Sequence, residues 1–155
     1  MKFLRLLLLF LLLNFLALGV GVVLMNSGPT SNWYLSLNKA PWTPESWVFG
    51  TAWTLIMIFY SVYMTKLSLS FKSINKAIIK LYGLQWFMNV IWNYLFFNQH
   101  LEVLALADIV LLWLLVGYFT FNYLRVVKTY TVFIIPYLIW LTIATSLNLY
   151  IVLNN

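Results

Sequence analysis

Charge is concentrated at the ends of long apolar runs and in the gaps between them, with Asp108 the exception, and this one feature limits what the chain can become. Five segments, roughly 4–25, 47–65, 79–97, 103–123 and 130–152, are each long and apolar enough to be read as membrane helices, which need about 20 mostly apolar residues. Only 8% of the 155 residues are charged, 64% are hydrophobic and the mean hydropathy is +0.93; a soluble domain carries about 25% charged residues. The reading is all-α: one domain over residues 1–155, a bundle of five transmembrane helices with a longer connecting loop at about 26–46. No internal repeat or polar linker divides it.

Basic residues in short loops favour the cytoplasmic side. Alternating the sides from the N-terminus places Lys2, Arg5, Lys66, Lys72, Lys76, Lys80, Arg125 and Lys128 on one side and Lys39 alone on the other. The expected topology therefore has a cytoplasmic N-terminus and an outside C-terminus, and the net charge of +6 is a topology signal rather than a mark of nucleic-acid binding. Contact with anionic lipid is a second use for it. The N-terminal leucine run exceeds the usual core of a signal peptide and lacks a convincing small-x-small site, so it is read as a span. Within it Ala17 and Gly21 form a small-residue stripe suited to close helix approach.

Catalytic chemistry finds little support in the side-chain inventory. Cysteine is absent, His100 is the one histidine, and Asp and Glu number three, so neither a thiolate nor a metal site with several convergent ligands is expected. No glycine-rich phosphate loop is present, and no cofactor is expected.

Polar residues inside the spans are therefore the informative ones. Gln85, Asn89 and Asn93 recur at helical spacing with Tyr82, Trp92 and Phe96 on the same side of the third span. Such a ladder serves either as interhelical glue or as the floor of a ligand site, and the sequence leaves both open. Asp108, the one acid well inside a span, is likewise a functional candidate or a local packing and capping group. Gly50, Trp53, Met57, Tyr60 and Met64 share a face of the second span. Tyr137, Trp140, Ala144 and Asn148 share one in the fifth, where Pro136 predicts a kink or a late helix start. Together these stripes make an interior pocket plausible.

The stretch PWTPESWVFGTAWT, residues 41–54, concentrates tryptophan and proline where the second span begins. Trp33, Trp42, Trp47 and Trp53 crowd this connection, more than an interfacial belt requires. Thr43 is expected to cap the second helix, with Pro44 in its first turn and Glu45 favouring that end through the helix dipole.

The run WYLSLNKAPWTPESWVFGTAWT, followed by QWFMNVIWNYLFF, LALAD and PYLIWLTIATSLNLYIVLNN, resembles the tryptophan-rich sensory protein / translocator protein family, also called the peripheral-type benzodiazepine receptor family. The resemblance runs from about Trp33 to Asn154. It implies a five-helix membrane bundle, commonly a homodimer, whose first loop lids a pocket for porphyrins such as protoporphyrin IX and for isoquinoline carboxamides. Carried over residue by residue, it assigns Phe49, Trp53, Asn89, Trp92, Ala107, Asp108, Leu111, Trp140, Ala144 and Leu147 to the pocket, and Trp33, Tyr34, Pro41 and Trp42 to the lid. Three functions follow as expectations: a porphyrin-binding receptor or sensor, an enzyme degrading porphyrin with light and oxygen in which Trp53 and Trp140 would be redox-active, and a transporter of tetrapyrroles or lipophilic molecules. The sequence shows no matched broken helices for transport and no evident axial ligand for haem, which favours binding of a metal-free porphyrin. Two departures stand out. Glu45 replaces the second of two consecutive prolines usual in the family's first loop, and the segment LNLYIVLNN lacks the basic residue that the family's sterol motif requires, which puts cholesterol binding in doubt. Leu55, Tyr60 and Lys66 meet that weak spacing elsewhere by chance. A bacterial inner membrane is the expected location.

Overall fold

In the computed structural model, which describes residues 1–71 and 75–155, the apolar runs form helices. Helix α1 spans Lys2–Leu24 and is followed by a short 3-10 turn, Gly28–Thr30, and a five-residue helix α2, Asn32–Ser36. Next come α3 (Ser46–Leu69), α4 (Lys76–Asn93), α5 (Glu102–Asn122), the short α6 (Leu124–Val127) and α7 (Ile135–Asn154). The described residues contain no strand. Lys72, counted above in the charge asymmetry, lies outside them.

Among the described residues four helices, beginning at Lys2, Ser46, Glu102 and Ile135, are long and apolar enough to cross a membrane. The 18-residue α4 carries the interior amides and is the least apolar of the five long helices. It starts on a genuine cap, since the Asn75 side chain accepts from the backbone N–H groups of Ala77 and Ile78 at 3.0 and 3.3 Å; this satisfies donors that would otherwise be orphaned. It ends in one turn of π-helix, Tyr94–Asn98. Such wide turns arise where the i−4 ladder is interrupted.

One expected start is refined and one expected cap is corrected. The fifth span was placed from residue 130; Lys128–Phe133 is a 3-10 turn and α7 begins only at Ile135, with Pro136 in its first turn, the late start that this proline marks. Proline lacks an N–H and is tolerated where that group has no helical partner. Thr43 does not cap α3. Its hydroxyl donates to the Ala40 carbonyl at 2.7 Å and closes a turn there, so Glu45 occupies the cap position without a side-chain bond and Pro44 stands before the helix. The loop at 26–46 is also more ordered than a plain connection, because Ser31 accepts from the Tyr34 N–H at 3.2 Å and caps α2.

The five long helices close into a ring: α1 packs against α3 and α4, α4 against α5, and α5 against α7, whereas α3 meets α7 over a shorter stretch. Ala17 and Gly21 are buried as expected of a small-residue stripe. A Cβ added to Gly21 would lie 2.8 Å from Asn93 Nδ2, so α1 and α4 approach closely where glycine permits it.

Polar pairs stitch this ring from inside. Tyr82 donates to Asn14 Oδ1 at 2.7 Å and Asn14 donates to Ser61 Oγ at 2.8 Å, joining α4, α1 and α3. Gln85 donates to the Tyr137 hydroxyl at 2.9 Å, which donates to Asn89 at 3.1 Å, joining α4 to α7. Tyr63 donates to the Phe119 carbonyl at 2.6 Å, joining α3 to α5. Asn14, Gln85, Tyr63 and Tyr137 are each at most 2% exposed, so losing a partner strands a polar atom away from water.

Asn14→Leu is predicted to lower stability in detergent by about 1 to 2 kcal/mol. Tyr82→Phe added to it is predicted to cost less than the sum of the single changes. Thermal or denaturant unfolding of the four proteins checks this, and strict additivity would show that the two side chains act independently.

Candidate functional site

The shorter α3–α7 contact leaves a cavity of about 650 Å³ at the end of the bundle that carries the 26–46 loop. Phe49, Gly50 and Trp53 of α3 line one side, and Trp140, Ala144, Leu147 and Asn148 of α7 the other. Asn89, Trp92 and Asn93 of α4 close the back, joined by Ala17, Leu18 and Val22 of α1. The loop contributes Tyr34, Leu35, Lys39 and residues 43–46. These positions follow from helical phase: residues three or four apart share a face, and the inward faces of α3 and α7 carry aromatics that meet edge to face beside the cavity.

The aromatic wall is braced edge to face. Trp53 and Trp140 have ring centroids 6.5 Å apart at 81°, Phe49 meets Trp140 at 5.5 Å and Trp53 meets Tyr137 at 5.9 Å. Such arrangements suit the ring quadrupoles and contribute about 0.5 to 1.5 kcal/mol per pair. Trp92 stacks on Phe96 at 5.0 Å and donates its N–H to Asn148 Oδ1 at 3.2 Å, while Asn148 donates to the Glu102 carbonyl at 3.1 Å. These bonds fix the indole plane. By contrast Trp140 Nε1 is buried with no hydrogen-bond partner among the described residues. It is an unused donor on a residue that lines the cavity.

Asn89 resolves part of the choice between glue and ligand site. Gln85 lies outside the cavity lining and braces Tyr137, whereas Asn89 accepts from Tyr137 and also lines the cavity. Asn93 folds back to donate to the Asn89 carbonyl at 3.2 Å. The ladder is therefore structural at its inner end and joins the cavity at its outer end.

The loop forms the cover. Trp33 stacks on His100 with centroids 4.0 Å apart and meets Phe96 edge-on at 5.5 Å. Tyr34 packs on Phe97 at 5.3 Å, and burial raises its phenol above the ordinary tyrosine range. Trp42 donates to Ser146 Oγ at 3.2 Å and abuts Tyr150, and the Asn38 backbone pairs with the Asn155 side chain in both directions. The cover is thus tied to the end of α4 and to α7.

Among the residues assigned to pocket or lid from the sequence, the cavity gathers Tyr34, Phe49, Trp53, Asn89, Trp92, Trp140, Ala144 and Leu147. Trp33 lies behind Tyr34 against His100, and Pro41 and Trp42 are exposed on the cover. Ala107 and Leu111 fall on the exposed outer face of α5, where Leu111 is 56% exposed; Ile109 and Leu112 of that helix turn inward and line the cavity instead. Asp108 is half-buried outside the lining, and its Oδ2 has no partner among the described residues. Sequence reasoning missed the α1 lining, Lys39, Glu45 and Ile151. Only Ile151 carried a signal, by continuing the Ala144, Leu147 and Asn148 stripe. Trp47 points outward at 70% exposure, as an interfacial tryptophan does.

An apolar, aromatic cavity with a few fixed polar groups is suited to a small organic ligand. No group of three or more His, Cys, Asp or Glu side chains able to hold a metal occurs among the described residues. Membrane-length helices around such a cavity define a multi-pass membrane protein of the sensor and translocator kind. Residues 10–153 match the TspO/MBR family, and the chain belongs to it. It is 31% identical over 143 residues to the tryptophan-rich protein TspO of Chlorobaculum tepidum, covering 90% of each chain. It is 33% identical over 116 residues to the tryptophan-rich sensory protein of Cereibacter sphaeroides, covering 75% of this chain and 72% of that protein. With the translocator protein of Bos taurus it shares 30% over 124 residues, 78% of this chain and 73% of the other.

Proposed function

We propose that this protein is a membrane receptor that takes a porphyrin, or another flat aromatic molecule of similar size, into the cavity beneath the 26–46 loop. The observation that carries the reading is the wall itself: Phe49, Trp53, Trp92 and Trp140 border one space of about 650 Å³ with Asn89 at its back. Sites for small organic ligands hold roughly 300 to 1,000 Å³. A planar, polarizable ligand gains dispersion and stacking against such rings. The ladder amide Asn89 is held by Tyr137, so it meets a ligand already oriented. Preorganisation of this kind lowers the entropy cost of binding.

A second reading, light- and oxygen-dependent breakdown of the bound porphyrin, is favoured by the closeness of Trp53 and Trp140 on the same lining. The two readings separate cleanly. Binding persists in darkness, whereas breakdown removes the porphyrin absorption only under light and requires the two indoles.

The membrane arrangement proposed with this function has five spans, α4 being the third of them, a cytoplasmic N-terminus and the cavity opening on the outer side. The distribution of Lys and Arg supports it, and so does the position of α4 between α1 and α5.

Two outcomes are expected. Ala144→Phe, which projects a ring into the cavity, should weaken protoporphyrin IX binding at least about tenfold in a tryptophan-quenching titration in the dark, with thermal stability nearly unchanged; unchanged affinity would place the ligand elsewhere. Because the chain has no cysteine, single probes report topology directly. In intact cells a membrane-impermeant maleimide should label Ser36→Cys at once and Asn122→Cys only after permeabilisation, and the reverse pattern would invert the proposed orientation.

A further inference from the structure

Stacking on the aromatic wall makes no use of the charges on the cavity lining. Lys39, from the loop between α2 and α3, is the one Lys or Arg on that lining among the described residues, and Glu45, at the start of α3, is the one acid. Lys39 Nζ sits 4.8 Å above the Tyr34 ring and donates to the Leu35 carbonyl at 3.3 Å. The ring and the carbonyl hold the ammonium at the cavity wall while leaving donors unused, since an ammonium has three N–H groups. No carboxylate among the described residues forms an ion pair with it. Glu45 makes no side-chain capping bond, so its charge is not consumed by the helix end either. The ordinary role of a loop lysine is solvation, but this one is half-buried and shares the cavity lining with Tyr34.

We propose that Lys39 reads a carboxylate on the edge of the ligand and that Glu45 acts against it, so that this pair sets the charge preference of the cavity. This rests on the reading of the cavity as a site for a flat aromatic ligand and adds the chemical class: an aromatic acid whose body stacks between the tryptophans and whose carboxylate meets the Lys39 ammonium. A charge-assisted hydrogen bond is the strong form of such a contact, moderated here because the rim is open to water. Like charges in the same space oppose binding by Coulomb repulsion, which gives Glu45 the opposite sign of effect.

The test is equilibrium titration in darkness of wild type, Lys39→Gln and Glu45→Gln with two probes, protoporphyrin IX and its dimethyl ester. The ester keeps the aromatic body and removes both negative charges. Lys39→Gln is expected to weaken the free acid by about three- to fivefold, Glu45→Gln to strengthen it by about twofold, and neither to move the ester. Raising the salt concentration should shrink both effects on the acid. The proposal is overturned if Lys39→Gln leaves the acid unchanged or weakens acid and ester alike, since the lysine then acts only through packing. Saturable binding of the ester in that case would leave the aromatic site standing. Failure of both probes to bind wild type would overturn the reading of the cavity together with this proposal.

Discussion

A polar group inside an apolar bundle must find its partner within the protein, and much of the architecture follows from how α4 meets that demand. Lipid provides no hydrogen bonds, so an orphaned amide or hydroxyl there is costly. Gln85 and Asn89 both engage Tyr137 of α7, and Tyr82 engages Asn14 of α1. These bonds fix the rotation of α4 about its axis. Once that rotation is set, Trp92 and Asn93 face the upper cavity and Gly21 must stay small to admit Asn93. The polar ladder thus sets both the closure of the ring and the orientation of the surface that lines its opening.

The cavity is the consequence of an unequal ring. The bundle is packed at the α6 end, where Tyr63, Met64 and Leu67 of α3 and Phe119 of α5 are fully buried. Toward the loop end, α3 and α7 meet through the edge-to-face contacts of Phe49 and Trp53 with Trp140, and these rings and Ala144 border a shared space. The cover over it is held by stacking of Trp33 on His100 and by the bonds of Trp42 and Asn38 to α7. These contacts lie near the surface and are few, which is the profile of a segment that opens at lower cost than the core. The same arrangement answers why tryptophans crowd residues 33–53: Trp33 and Trp42 fasten the cover, Trp53 lines the cavity, and Trp47 faces outward as a membrane-interface anchor.

Much of this was legible from residue pattern because apolar length and interior amides are strong local signals. The long helices follow the apolar runs, and the stripes Trp53–Met57–Tyr60 and Tyr137–Trp140–Ala144 are inward in the structure. Boundaries were less legible where they depend on local bonding. The late start of α7 reflects a 3-10 turn before Pro136, and the start of α3 reflects Thr43 bonding back to Ala40. For α5 a nearly uniform apolar sequence hides its phase: Ala107 and Leu111 were assigned inward by resemblance, yet Ile109 and Leu112 line the cavity, because the one polar residue in LALADIVLLW, Asp108, lies half-buried outside the lining and does not mark the inward side. Lys39 was visible only as a topology marker, since its place on the lining depends on a loop fold that no periodicity encodes.

The central claim is that the aromatic space between α3, α4 and α7 receives the ligand. The most direct test is an experimental structure of the protein with protoporphyrin IX bound in darkness. The account predicts density for the porphyrin ring between Trp53, Trp92 and Trp140, beneath Tyr34. Density on the outer face of α5, against Ala107 and Leu111, with the inner cavity empty, would contradict it.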